Sequence, residues 1–197
     1  MTRSLLGLFL LTSAAAVVPK FFVIGFTHIL PGGLDHILFI LGLFFLTRSF
    51  GVLLFQMTLF TLAHSLTLGL SLYGFLSVPT TVVEVSIALS IAFIGIENVY
   101  SDRLSRWRPY VVFCFGLVHG LGFAHTFQEK LTDQSDFLPA LFSFNMGIEF
   151  GQIAVVGIAY TAVAACWNRD WYRVAIARPA SVAIAASGLY WAVERII

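Results

Sequence analysis

All five histidines of the chain lie in apolar stretches, and two of them share one segment with a carboxylate: "GFTHILPGGLDHILFILGLFFLTRS", residues 25–49, carries His28, Asp35 and His36 around a Pro-Gly-Gly break. The other three stand in "FTLAHSLTL" (His64) and "FGLVHGLGFAH" (His119 and His125), and "FNMGIEFGQ" adds Asn145, Glu149 and Gln152. Neutral imidazole nitrogens with carboxylates for charge compensation suit a divalent transition metal, nickel, cobalt, zinc or copper. No spacing here separates one metal from another. Asp35 is placed to hold a neighbouring imidazole in one tautomer, and the break frees backbone carbonyls at the mouth of a cavity.

The elements that must position these groups are membrane helices. The chain has 197 residues, 59% hydrophobic and 11% charged, with mean hydropathy +0.92, against about a quarter charged in a soluble domain. Apolar runs of about 20 residues recur throughout. The expected fold is an all-α polytopic bundle forming one transmembrane domain over residues 1–197, with no soluble domain. Spans are expected at 33–47, 51–73, 80–100, 109–126, 140–166 and 179–196. The opening run "SLLGLFLLTSAAAVV" suits a signal peptide or a seventh span. A net charge of +1, with the basic residues in short loops, excludes a nucleic-acid surface. Cys114 and Cys166 lie in different runs and form no disulfide framework; ordinary burial is expected for Cys114 rather than a ligand role.

Residues 101–108 ("SDRLSRWR") and 167–178 hold three arginines each, and Arg48 lies in the loop between the first two spans. These alternate loops are expected in the cytoplasm. Arg3 would join them, the "HILPGG" break would face outside, and the C-terminus would be outside. No internal sequence repeat is strong enough to predict an inverted-repeat architecture.

Counted from the loops at a rise of about 1.5 Å per residue, His36, His64, His119 and Glu149 all reach depths of about 15 to 20 Å. Asp35 shares that layer, with His28 and His125 nearer the outer mouth. Asn145, Glu149 and Gln152 share one stripe of their helix, and Thr58, Thr61, His64 and Ser65 form another. The pairs Gly116 with Gly120 and Gly147 with Gly151 let helices approach closely. Glu97, next to Asn98, is expected either to pair with Arg103 or Arg106 or to form an exit site. Glu84 reads as a dipole partner at a helix start.

The four motifs, in their order along the chain, resemble the HupE/UreJ family of hydrogenase and urease accessory membrane proteins from residue 21 to about 195. The resemblance implies a nickel or cobalt permease of the bacterial inner membrane, with His28, Asp35, His36, His64, His119 and Glu149 as transport residues. In that reading His28, Asp35 and His125 capture the ion at the mouth, His36, His64, His119 and Glu149 hold it, and Glu97 and Asn98 pass it on. The partners are then the metal ion and the lipid bilayer, with self-assembly left open. An intramembrane zinc-dependent hydrolase, a lipid amidase or protease with Glu149 or Asp35 as general base, uses nearly the same residues. A passive scaffold leaves the histidine layer unexplained.

Overall fold

The computed structural model describes the backbone of residues 2–131 and 133–197, and their side chains except at residues 2–15, His125 and Gln134. The described residues are helical, with no strand among them. The helices are α1 (Thr2–Ile29), α2 (Leu34–Leu46), α3 (Phe50–Leu72), α4 (Thr80–Tyr100), α5 (Arg108–Gly122), α6 (Ala124–Lys130), α7 (Phe137–Val163) and α8 (Arg178–Glu194). Each of the six expected segments holds one of them. Local chemistry sets several ends. Ser49 caps α3 by accepting a hydrogen bond from the Val52 amide at 3.4 Å, and Gly74, with φ of 75°, turns the chain after Tyr73 in the left-handed conformation that glycine adopts without strain. Prolines at the starts of α5 and α8 occupy positions where no amide donor is needed.

α3, α4, α7 and the stretch Arg173–Glu194 are long and apolar enough to cross a bilayer; Ala16–Ile29 and Leu34–Leu46 qualify only as a pair, bent by 68° at the break. The course of that pair follows from its neighbours. α1 runs parallel to α7: the Ser143 hydroxyl donates to the carbonyl of Val18, Gly25 lies on the backbone of Phe144, and Gly151 lies on Ile29. Lys20 Nζ donates to the carbonyl of Lys130 at 2.8 Å, which fixes one end of the molecule, called here the Lys130 end. α2 continues to the other end, where Phe44 meets Trp167 at 4.7 Å and Arg48 covers Tyr172 at 5.7 Å. This is the arginine end, shared by the loops after α2, α4 and α7.

The "HILPGG" break lies partway along α7, because α1 enters from the Lys130 end and carries residues 16–29 down to it, and its Gly32 and Gly33 line a cavity with His28 and Asp35. Hydropathy alone takes Pro-Gly-Gly for a loop, whereas glycine contacts hold α1 against α7 and α2 goes on toward the arginine end. The expected span at 33–47 is thus α2, which reaches crossing length only together with residues 16–29. The opening run and residues 16–29 are continuous as one helix through Pro19; Arg3 lies outside the described side chains.

The helices pack in three close pairs: α1 with α7, α3 with α5, and α4 with α8. Glycines sit at each crossing, as close approach in a bilayer requires. A Cβ on Gly116 would lie 2.6 Å from the carbonyl oxygen of Phe60, and one on Gly95 would lie 2.6 Å from the amide nitrogen of Ala185.

Candidate metal site

His28 ends α1, His36 opens α2, and His64 projects from the middle of α3. Each offers a ring nitrogen, and the three nitrogens lie within 4.8 Å of one another. The His28 and His36 ring centres are 4.6 Å apart, and His64 is 6.0 Å from both. His119 of α5 lies against the same group, 4.9 Å from His36. The broken helix makes this possible. A Cβ on Gly33 would collide with the carbonyl of His28 and crowd His36 Nδ1, so a glycine there lets the two histidines face each other across the break.

Two histidines have their tautomers set by neighbours. Asp35 Oδ1 accepts from the His36 amide at 3.0 Å and faces His36 Nδ1 at 3.2 Å. An ionised carboxylate only accepts, so Nδ1 carries the proton and Nε2 presents its lone pair. The Ser90 hydroxyl donates its one proton to the carbonyl of Ile87 at 2.7 Å. It must then accept from His119 Nε2, 3.1 Å away, which leaves His119 Nδ1 as the bare nitrogen. Ser90 was not foreseen from the sequence; its signal is a lone hydroxyl in the apolar run "IALSIAFIG".

The bare atoms are the ones left without partners. His28 Nε2, His36 Nε2, His119 Nδ1 and both nitrogens of His64 are buried and have no hydrogen-bond partner among the described residues. Buried polar atoms are normally paired. Four imidazoles that all withhold lone pairs, beside one carboxylate, form a donor set suited to a divalent transition ion. Phe60, Phe123 and Phe144 enclose the rings, with Phe123 4.1 Å from His28. A vestibule of about 180 Å³ reaches the group from the Lys130 end and is lined by His28, Asp35, His36, His119, Glu84 and Arg195.

The remaining candidates are distributed elsewhere. Glu149 is half-buried beside Thr58 and Thr61 on the seam between α3 and α7, and is not a member of the three-histidine group. Gln152 accepts from Thr61 at 3.4 Å on the same seam, Ser65 donates to the carbonyl of Thr61 at 2.6 Å, and Asn145 is half-buried with an unpartnered Oδ1. His125 lies outside the described side chains. Glu84 is one turn inside α4, exposed at the vestibule, and not at the helix start. Cys114 is exposed and Cys166 half-buried, both free.

Glu97 pairs with neither Arg103 nor Arg106. Its partner is Arg108, at 2.6 Å, a side chain only 1% exposed. The guanidinium also donates to Gln56 Oε1 at 3.1 Å, to Asn98 Oδ1 at 3.4 Å and to the carbonyl of Gly42 at 3.4 Å. Asn98 in turn donates to Gly42 and to Ser181. Counting Arg108 among the loop arginines conceals this, since only the helix direction turns it inward to meet a half-buried carboxylate. Between this network and the histidines stand Phe39 and Phe60, 4.9 Å apart and almost fully buried.

A family model described as HupE / UreJ protein matches residues 7–195. No curated protein and no solved structure matches the chain.

Proposed function

The chain belongs to the HupE/UreJ family, and we propose on that premise that it is a permease carrying a divalent transition metal, nickel or cobalt, across the membrane. The observation that carries this reading is the set of unpartnered histidine nitrogens at the broken helix. Discontinuous helices with a polar site deep in the bundle are what solute carriers use to expose backbone and side-chain ligands without facing lipid. An ion held by neutral imidazoles and one nearby carboxylate is held by exchangeable ligands. His28, His36 and His64 would contact it first, with His119 beside them and Asp35 balancing charge.

The bundle then crosses the membrane six times. α1 with α2 makes the first crossing and α5 with α6 the fourth, because α5, with 15 residues, spans only about 22 Å alone. The loops at the arginine end mark it as cytoplasmic by the bias of short basic loops. The vestibule and the C-terminus are then extracytoplasmic, and the ion enters past Glu84 and Asp35.

The test is uptake into vesicles of purified protein. His36→Ala and His64→Ala should each abolish accumulation of nickel and cobalt while the variants remain folded in detergent. Wild-type vesicles that accumulate no divalent metal under a proton or a voltage gradient would overturn the reading. A metal-dependent lipid or peptide cleavage in the same preparation would then assign the site to a hydrolase.

A further inference from the structure

The α4–α8 crossing is symmetric to within the detail of single contacts. A Cβ on Gly95 would lie 2.6 Å from Ala185 N, 2.8 Å from Ser181 O and 2.9 Å from Ala185 Cα; one on Gly188 would lie 2.5 Å from Ala92 N, 2.8 Å from Ala88 O and 2.9 Å from Ala92 Cα. Gly95 thus corresponds to Gly188, Ala92 to Ala185 and Ala88 to Ser181, by one constant step along the chain. The two helices run in opposite directions, so the operation relating them is a two-fold rotation.

The same rotation relates the other two close pairs. Gly25 lies on the carbonyl of Phe144, and Gly116 on the carbonyl of Phe60. Gly147 meets Gly25, and Ala63 meets Gly116. Gly151 meets Ile29 and the carbonyl of Phe26; Thr67 meets Gly120 and donates to the carbonyl of Leu117 at 2.7 Å. These glycine-centred contacts of α1 with α7 have counterparts between α5 and α3, in constant register, and both pairs are parallel with opposite sense. The break repeats as well. α1 stops and gives way to α2, as α5 stops and gives way to the shorter α6. Under this register "GFTH" superposes on "GLVH", so His28 corresponds to His119.

We infer that residues 16–100 and 108–194 are two inverted halves related by a pseudo-two-fold axis through the α4–α8 crossing, and that transport proceeds by exchange between two end-to-end inverted arrangements, of which this one is closed at the arginine end by Arg108. The inference rests on the permease reading and states how such a permease moves its ion. His28 and His119 are symmetry counterparts, and both rings lie against His36. An in-plane axis sets counterparts equally far from its plane on opposite sides, and since both rings meet His36 the pair straddles that plane closely, so the cage sits where either end can be opened to it without moving the ion far.

The closure is one-sided in this arrangement. At the Lys130 end the vestibule reaches the histidines. At the arginine end a cleft of about 180 Å³ reaches only as far as Gln56 and Arg108, and the Phe39–Phe60 contact blocks the remainder. Arg108 joins the α3–α5 pair, through Gln56, to α2 and α4, through Gly42, Glu97 and Asn98. Opening the arginine end requires those cross-links to part. The register that pairs His28 with His119 puts Val17 opposite Arg108, and among the described residues no other buried arginine closes the Lys130 end.

The experiment uses the full chain with Cys114→Ser and Cys166→Ser and one new thiol, Gly122→Cys, on the vestibule wall. An impermeant maleimide applied from the Lys130 end should label that new thiol rapidly. Adding Arg108→Gln with Glu97→Gln, which removes the charge pair together and leaves no lone buried ion, should populate the inverted arrangement and slow that labelling several-fold. Unchanged labelling in a variant that elutes as folded protein would overturn the inference. A second measurement needs no change in the network: metal preloaded inside wild-type vesicles should accelerate entry of radioactive nickel or cobalt several-fold, as exchange carriers do. Uptake indifferent to preloading would overturn the inference while leaving the permease reading intact. Absence of any uptake would overturn that reading, and the labelling experiment would still decide whether two arrangements exist.

Discussion

At the scale of single residues, the site is governed by which nitrogen of each imidazole is left bare. Ser90 offers the ion no bare nitrogen of its own, yet its hydroxyl holds His119 with Nδ1 free. Ser90→Ala should raise the half-saturating metal concentration by about 10-fold, the usual size of such indirect losses, with the maximal rate little changed. An unaltered concentration dependence would remove Ser90 from the account. Asp35 has two roles that substitution separates. Asn can still accept from His36 Nδ1 but carries no charge, whereas Ala does neither. Both variants should lose metal affinity by at least about 10-fold, because a dication among neutral imidazoles lacks compensation in a medium of low polarity. Retention of affinity in Asp35→Asn alone would reduce Asp35 to an orienting role. The sequence displayed His36, His64 and His119 as costly groups in apolar helices, which made them conspicuous. It hid Ser90 and Arg108, since a serine in an apolar run and an arginine at a loop end are both ordinary until the helix directions are known.

At the scale of helices, stability resides in three crossings where glycine lets backbones touch. Gly147→Val would force its side chain into the carbonyl of Phe22. Overpacking of that kind costs about 1–3 kcal/mol, so the melting temperature in detergent should fall by several degrees. Gly157, on the same helix, has nothing within 4 Å of a built Cβ, and Gly157→Val should melt with the unaltered protein. Equal melting of the two variants would show that the crossing does not hold the bundle. The small-residue pairs at 116 and 120 and at 147 and 151 were legible as close-packing signals. Their partners were not, because a glycine announces proximity without naming what approaches. The broken first crossing was hidden for the related reason that Pro-Gly-Gly has the same composition in a surface loop and in a mid-bundle break.

At the scale of the whole molecule, direction of travel depends on which end faces the cytoplasm. Single cysteines at Lys20 and Ser135 should react from one side and a cysteine at Ser105 from the other, since α1 enters at the Lys130 end. Labelling of Lys20→Cys together with Ser105→Cys would place α1 the other way up and restore the break to a surface position. The arginine end is tied by exposed charges: Arg173 and Arg178 both bond Asp102, at 2.7 and 3.1 Å, and the Arg173 hydrogen bond holds the Asp102 carboxyl below its ordinary range. A carboxyl with a lowered folded value contributes above its unfolded value and loses that contribution as pH falls. The link between the α4 and α8 ends should therefore loosen only in acid, and Asp102→Asn should remove that acid dependence from hydrogen exchange in residues 101–106. Hydropathy and motif order displayed an all-helical membrane bundle of this family. At the α4–α8 crossing the two-fold was hidden because its matched positions, Gly with Gly, Ala with Ala, and Ala with Ser, are the residues a sequence comparison weighs least.

The close fit of Gly25 against α7 has a consequence in time. The ribosome makes residues 16–46 long before it reaches 144–151, and at about 5–20 residues per second the wait is on the order of 5–20 s. Throughout it, the first crossing must sit in the bilayer with its break unpaired and Asp35 without a finished cavity around it, a condition hydrocarbon does not tolerate. A chain truncated after residue 130 should therefore be held by the insertion machinery or destroyed by membrane proteases, and one truncated after residue 163, with α7 complete, should persist. Pulse-chase half-lives of those two truncations would show whether α7 is what releases the first crossing.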